Sequence, residues 1–159
     1  MHELKAKGSG PVSYEELARE LEAVLAGEHD LVANAANCSA LLFHSLPEVN
    51  WVGFYFLRGG ELLVGPFQGK PACIRIALGQ GVCGTAAATR TTQLVPDVHA
   101  FPGHIACDSA SQSELVVPLV RHGELLGVLD LDSPRRGRFT EEDRRGVEGL
   151  ARTFLASLG

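Results

Sequence analysis

Glu114-Leu-Val-Val-Pro-Leu-Val-Arg-His-Gly-Glu-Leu-Leu-Gly-Val-Leu-Asp-Leu-Asp132 is the stretch that decides the fold. Its halves, Glu114 to Val120 and Leu125 to Leu131, are rich in aliphatic and β-branched residues and flank the turn signal Arg121-His122-Gly123, so they predict a β-hairpin. Asp130 and Asp132 stand two apart on the second strand and share a face. Whether Glu114 joins them depends on the turn. A three-residue loop with Gly123 left-handed sets Glu114 opposite Asp130, whereas a two-residue His122-Gly123 turn sends it to the other face.

Upstream, Val49 to Leu57 is aromatic and β-branched, Arg58-Gly59-Gly60 marks a turn and Glu61 to Val64 returns, which predicts a second hairpin. A short strand at Cys73 to Ile76 follows Gly-Pro and Gly-Lys-Pro turns. Gly79-Gln-Gly81 then opens a small-residue helix with Thr85, Ala86, Ala87 and Ala88, which ends before Gln93 to Val95. Pro96 to Ser113 keeps no period and carries His99, His104 and Cys107, and a long loop inside a compact domain points to function. Helices close both ends of the chain. Ser13 and Glu16 have capping-box spacing ahead of Leu17, Leu21, Val24 and Leu25, and Gly27 ends that helix. Asp30 caps a second helix with Leu31, Ala35, Leu41 and Leu42 inward, and Thr140 with Asp143 caps a last one whose stripe is Val147, Leu150, Phe154, Leu155 and Leu158. The expected fold is α+β: a single domain over residues 13–159, a central antiparallel sheet, and the N- and C-terminal helices packed on one face. Residues 1–12, with Gly8, Gly10 and Pro11, read as a flexible arm.

Composition narrows the function classes. The chain has 159 residues, 45% apolar and 21% charged, with a net charge of −5, which fits one globular domain and argues against nucleic acid or an anionic membrane surface as partner. No stretch approaches the ~18 apolar residues of a membrane helix, and the first residues lack the apolar run of a signal peptide, so a cytoplasmic location is expected. In that compartment the four cysteines read as catalytic thiols, metal ligands or apolar filler rather than staples.

Cys73, Cys83 and Cys107 cluster ahead of Glu114, Asp130 and Asp132, a grouping suited to thiol redox chemistry. A thiolate can attack an electrophilic sulfur, and the resulting sulfenic acid condenses with a second thiol to a reversible disulfide. A sulfoxide sulfur is electrophilic only when its oxygen is protonated or strongly hydrogen-bonded. Paired aspartates supply such an acid, because like charge and burial raise one pKa. Carboxylates also hold the ammonium group of a free amino acid. Cys107 lies in a Gly/Ser/Asp-rich loop beside acids and a histidine and is the redox candidate, with a zinc site using His99 and His104 as the rival reading. Cys38, among Ala and Asn at a helical position, reads as core filler. Trp51 and Tyr55, four apart on a strand, share a face.

The runs Asn50-Trp-Val-Gly-Phe-Tyr55, Gly65-Pro-Phe-Gln-Gly-Lys-Pro-Ala-Cys73, Gly79-Gln-Gly-Val-Cys-Gly-Thr85, His104-Ile-Ala-Cys-Asp108 and Gly127-Val-Leu-Asp-Leu-Asp-Ser133 resemble the free methionine-(R)-sulfoxide reductase family, built on a single GAF domain. The resemblance implies a catalytic Cys107, a principal resolving Cys73 and an auxiliary Cys83. It implies that Glu114, Asp130 and Asp132 bind and polarise free methionine sulfoxide, that Trp51 and Tyr55 help wall the pocket, and that thioredoxin supplies electrons. It favours the turn that sets Glu114 on the aspartate face. No cofactor or metal is implied, and a homodimer stays open. Cys38 and the N-terminal arm have no counterpart in the family's motifs. Two other classes remain as alternatives: a GAF domain that senses a small molecule without turnover, and a zinc-binding regulatory domain.

Overall fold

The computed structural model describes residues 12–104 and 110–159. All but the last residue of the expected arm, and Cys107 with its immediate neighbours, lie outside the described residues. The expected helix starts are built as capped ends. Ser13 Oγ accepts the Glu16 N–H at 3.3 Å to open α1 (Tyr14–Leu25), and Asp30 Oδ2 accepts the Ala33 N–H at 2.9 Å to open α2 (Leu31–Ser45). Thr140 and Asp143 form a reciprocal capping box at the start of α4 (Glu141–Ser157).

Six strands form one sheet in the order β3 (Arg75–Ala77), β2 (Glu61–Gly69), β1 (Trp51–Arg58), β6 (Glu124–Ser133), β5 (Ser113–Arg121), β4 (Gln93–Val95), and every neighbouring pair is antiparallel. β1 (Trp51–Arg58) turns through Gly59 and Gly60, both at positive φ, into β2 (Glu61–Gly69). The expected end of β2 at Val64 falls short. The ladder continues past Gly65 and Pro66 because its register shifts between Gly53 and Tyr55, and a bulge tolerates a residue without an N–H. β3 is Arg75–Ala77 rather than Cys73 to Ile76, which leaves Cys73 in the connection. α3 (Gly81–Thr89) and β4 (Gln93–Val95) stand where the sequence places them.

The hairpin of β5 (Ser113–Arg121) and β6 (Glu124–Ser133) corrects both turn readings. Arg121 pairs with Glu124 across a two-residue His122-Gly123 turn, with φ of 53° and 77°. Continued regularly, that register would put Glu114 opposite Leu131, away from the aspartates. It slips by one residue instead: Val120 pairs with Leu125 but Leu119 with Gly127, so Leu126 is bulged out and Glu114 lands opposite Asp132. Gly127 makes this possible. A Cβ there would run into the carbonyl oxygen of Tyr55 on β1.

Alternation then gives the sheet two different faces. On one, Val52, Phe54, Leu115, Val117, Leu129 and Leu131 pack under α1, α2 and α4, with Phe54 and Phe154 ring centroids 4.6 Å apart. On the other, Trp51, Tyr55, Val116 and Val128 meet α3 through Val82, Cys83, Ala86 and Ala87. A polar knot closes the helical layer at its edge. The Tyr14 hydroxyl donates to Asp143 Oδ1 at 2.5 Å, Arg138 Nη1 donates to Asp143 Oδ2 at 2.9 Å, and Arg138 Nε donates to the Pro47 carbonyl at 2.9 Å. Among the described residues no helix is long and apolar enough to cross a membrane.

Candidate active site

Three central strands and α3 bring the polar groups of the second face together. β6 supplies Asp130 and Asp132, which pair with Gly53 and Trp51 of β1, and β5 supplies Glu114 opposite Asp132. α3 supplies Cys83, whose Sγ lies 3.8 Å from Glu114 Oε2. A cavity of about 50 Å³ opens among these groups and is also lined by Trp51, Tyr55, Ile76, His104 and Ser111. Glu114 is 9% exposed, Asp130 4% and Cys83 5%, so Glu114 and Asp130 are not solvated surface charge.

Burial first, and then the neighbouring Asp130, pushes the Glu114 carboxyl well above the usual range. Burial and the adjacent Asp132 do the same to Asp130. The two interact as a pair, and both move in the direction that keeps protons on carboxyl oxygens near neutral pH. Asp130 Oδ1 is buried with no hydrogen-bond partner among the described residues. Cys83 is driven well above a normal thiol by burial and then by Asp130, Glu114 and Asp132, so it is a neutral thiol here and not a nucleophile in waiting. The His104 imidazole is held down by burial and by His99, whose ring lies edge-on at 6.0 Å, which favours the uncharged form.

Cys73 is disulfide-bonded, while Cys38 and Cys83 are free thiols. Its backbone carbonyl accepts the Tyr55 hydroxyl at 3.1 Å, beside the pocket. Cys38 lies fully buried in the helical layer, where burial pushes its thiol up to about 12, the behaviour of filler. Cys107 lies outside the described residues. Of the groups that could ligate a metal, the described residues bring together Cys83, Glu114 and Asp130, with donor atoms within 4.8 Å of one another, and not the histidines of the zinc reading. Sequence reasoning passed over Ser111 and Ile76, which line the cavity. Neither carries a local signal, since one is a loop serine and the other an aliphatic residue on a three-residue edge strand.

The model of the GAF domain family matches residues 16–158. The chain is 53% identical over 137 residues to the free methionine-R-sulfoxide reductase of Escherichia coli (strain K12), an alignment covering 86% of this chain and 83% of that protein. With the protein of the same name from Saccharomyces cerevisiae the identity is 44% over 151 residues, covering 90% and 84%. The X-ray structure of free methionine-R-sulfoxide reductase from Neisseria meningitidis in complex with its substrate superposes with a TM-score of 0.94 at 43% identity, covering 99% of this chain and 96% of that one.

Proposed function

The chain belongs to the free methionine-R-sulfoxide reductases, a family built on the GAF domain, and from that premise we propose how its residues carry the reaction. The substrate is free methionine (R)-sulfoxide. Its ammonium group pairs with the carboxyl cluster and its sulfoxide oxygen faces a protonated acid of the same cluster. The observation that carries this reading is the wall formed by Glu114, Asp130 and Asp132, in which burial and a neighbouring carboxylate raise the pKa of Glu114 and of Asp130. A carboxyl group that keeps its proton at neutral pH can donate it to the sulfoxide oxygen as the thiolate attacks.

Cys107 is the attacking thiolate. Its sulfur bonds to the sulfoxide sulfur as the acid protonates the oxygen; the methionine S–O bond and the new S–S bond then break while the oxygen bonds to the cysteine sulfur, which releases methionine and leaves a sulfenic acid. Cys73 then attacks the sulfenic sulfur, expels the oxygen as water and forms the disulfide. Thioredoxin restores both thiols by dithiol exchange. In support, Cys73 is in a disulfide while Cys38 and Cys83 are free, and the raised pKa of Cys83 removes it from the contest for nucleophile. A residue inside a polypeptide has no ammonium group to offer the carboxylates, so the pocket selects the free amino acid.

Incubating the reduced protein with racemic free methionine sulfoxide, a dithiol and thioredoxin, with chiral separation of the remaining substrate, tests the assignment. The R epimer should vanish while the S epimer persists, and N-acetyl methionine sulfoxide should react poorly. Equal loss of both epimers, or efficient reduction of the acetylated substrate, overturns it.

A further inference from the structure

Residues 70–74 join β2 to β3 and belong to no helix or strand. Pro71 has no N–H to give, Ala72 and Cys73 pack against the pocket-side core, and Ile74, 65% exposed, accepts the Val64 N–H on its carbonyl at 2.9 Å. Two further carbonyls of the connection are met by two buried side chains of β1. Trp51 Nε1–H donates to the Lys70 carbonyl at 3.1 Å, and the Tyr55 hydroxyl donates to the Cys73 carbonyl at 3.1 Å. Both donors are themselves fixed. Their rings stack at 5.8 Å and 27°, Phe67 stacks on Trp51 at 5.1 Å and 18°, and Trp51 and Tyr55 are 3% and 2% exposed. Trp51 also lies so close to Gly69 that a Cβ there would come within 2.6 Å of its indole.

We infer that Tyr55, assisted by Trp51, is a positioning residue for the disulfide step, which is a role distinct from walling the substrate pocket. The inference rests on the proposed role of Cys73 as the resolving thiol. The two bonds hold the backbone of the connection at Lys70 and at Cys73, the residue whose side chain carries the disulfide. When Cys73 attacks the sulfenic acid, one S–S bond forms, one S–O bond breaks and water leaves with the thiol proton. The rate of that condensation depends on how often Cys73 Sγ is presented within reach. Misplacement of a reacting group by ~1 Å can cost up to ~100-fold in rate. A hydrogen bond to the residue's own carbonyl therefore acts on this step and not on oxygen transfer.

Tyr55→Phe removes the hydroxyl and keeps the ring. In rapid-quench experiments on pre-reduced protein, methionine release reports oxygen transfer, and loss of alkylatable thiols reports disulfide formation. The variant should lower the ratio of the disulfide rate to the methionine-release rate by ~10-fold, the scale of one lost positioning contact. Trp51→Phe should lower the same ratio, less strongly because its bond lies further from Cys73. In a Cys73→Ser background, Tyr55→Phe should produce no change in that ratio's numerator, since no resolving thiol remains to be placed. An unchanged ratio in Tyr55→Phe, with both rates equal to wild type or both reduced alike, overturns the inference while the functional reading stands. If oxidised wild-type protein contains no Cys73 disulfide by peptide mapping, the functional reading fails and the inference fails with it.

Discussion

Glu114 and Asp130 occupy a medium that disfavours their charged forms, and that environment suits them to the proposed proton donation while making their ionised forms costly to stability. Each has a folded-state pKa raised above its unfolded value. Their contribution to stability is therefore fully present below the ordinary carboxylate range and is lost as pH rises toward the raised values. Glu114→Gln and Asp130→Asn keep shape and polarity but cannot titrate. Each should lower kcat/KM by at least ~100-fold, the scale of a lost general acid. Their melting temperatures should nevertheless gain on wild type as the buffer moves from pH 5 to pH 9. Parallel melting curves across that range would show that the wild-type acids are not held neutral. Cys38 is the control thiol. With its pKa at about 12, it should stay unlabelled by iodoacetamide in the folded protein at pH 8, and Cys38→Ser should leave turnover intact.

Within the β5–β6 hairpin, one bulged residue places Glu114 on the pocket face. Gly127→Ala should break that placement, because the added Cβ meets the Tyr55 carbonyl oxygen, which is backbone and cannot rotate away. Overpacking of this kind costs ~1–3 kcal/mol or more, and urea denaturation should show a loss of at least that size, with turnover failing alongside it. A stability within error of wild type would mean that β1 and β6 can separate at little cost. The same element shows why the sequence is legible in some places and not in others. Helix starts at Ser13, Asp30 and Thr140 are short-range chemistry, a side-chain oxygen meeting an N–H in the next turn, and so they can be read from spacing. Strand faces follow from alternation. The bulge does not, because its cause is a close approach between Gly127 and a strand remote in sequence. The only local traces are two successive leucines and a glycine inside a strand. The extension of β2 past Pro66 was hidden for the same reason, since its partner is β1 and not its own neighbours. The contact of Cys83 with Glu114 was not legible either, because it depends on how α3 seats on the sheet.

Across the whole molecule, two sets of carboxyl groups set opposite limbs of the pH dependence. Burial alone would raise Asp143, but the Tyr14 hydroxyl, the Thr140 N–H and Arg138 outweigh it and hold its carboxyl below the usual range. Stability from that group is present above the unfolded carboxylate pKa and is lost as pH falls through the lower folded value. Plotted against pH, unfolding free energy should form a dome whose acid limb flattens in Asp143→Asn and whose alkaline limb flattens in Glu114→Gln. If either substitution flattens the opposite limb, the assignment is wrong. Arg138→Met leaves Asp143 charged and without its guanidinium partner, and should cost ~3–5 kcal/mol at neutral pH. These groups serve separate layers because the sheet is a wall with a different room on each side. Along β5 and β6 the odd positions Leu115, Val117, Leu129 and Leu131 belong to the layer of α1, α2 and α4, and the even positions Glu114, Val116, Val128, Asp130 and Asp132 belong to the α3 and pocket side. Two texts are thus interleaved in one strand. A lineage can rewrite the even letters toward a new ligand while the odd letters go on specifying the same architecture, and a frame slip of one residue would exchange the two messages.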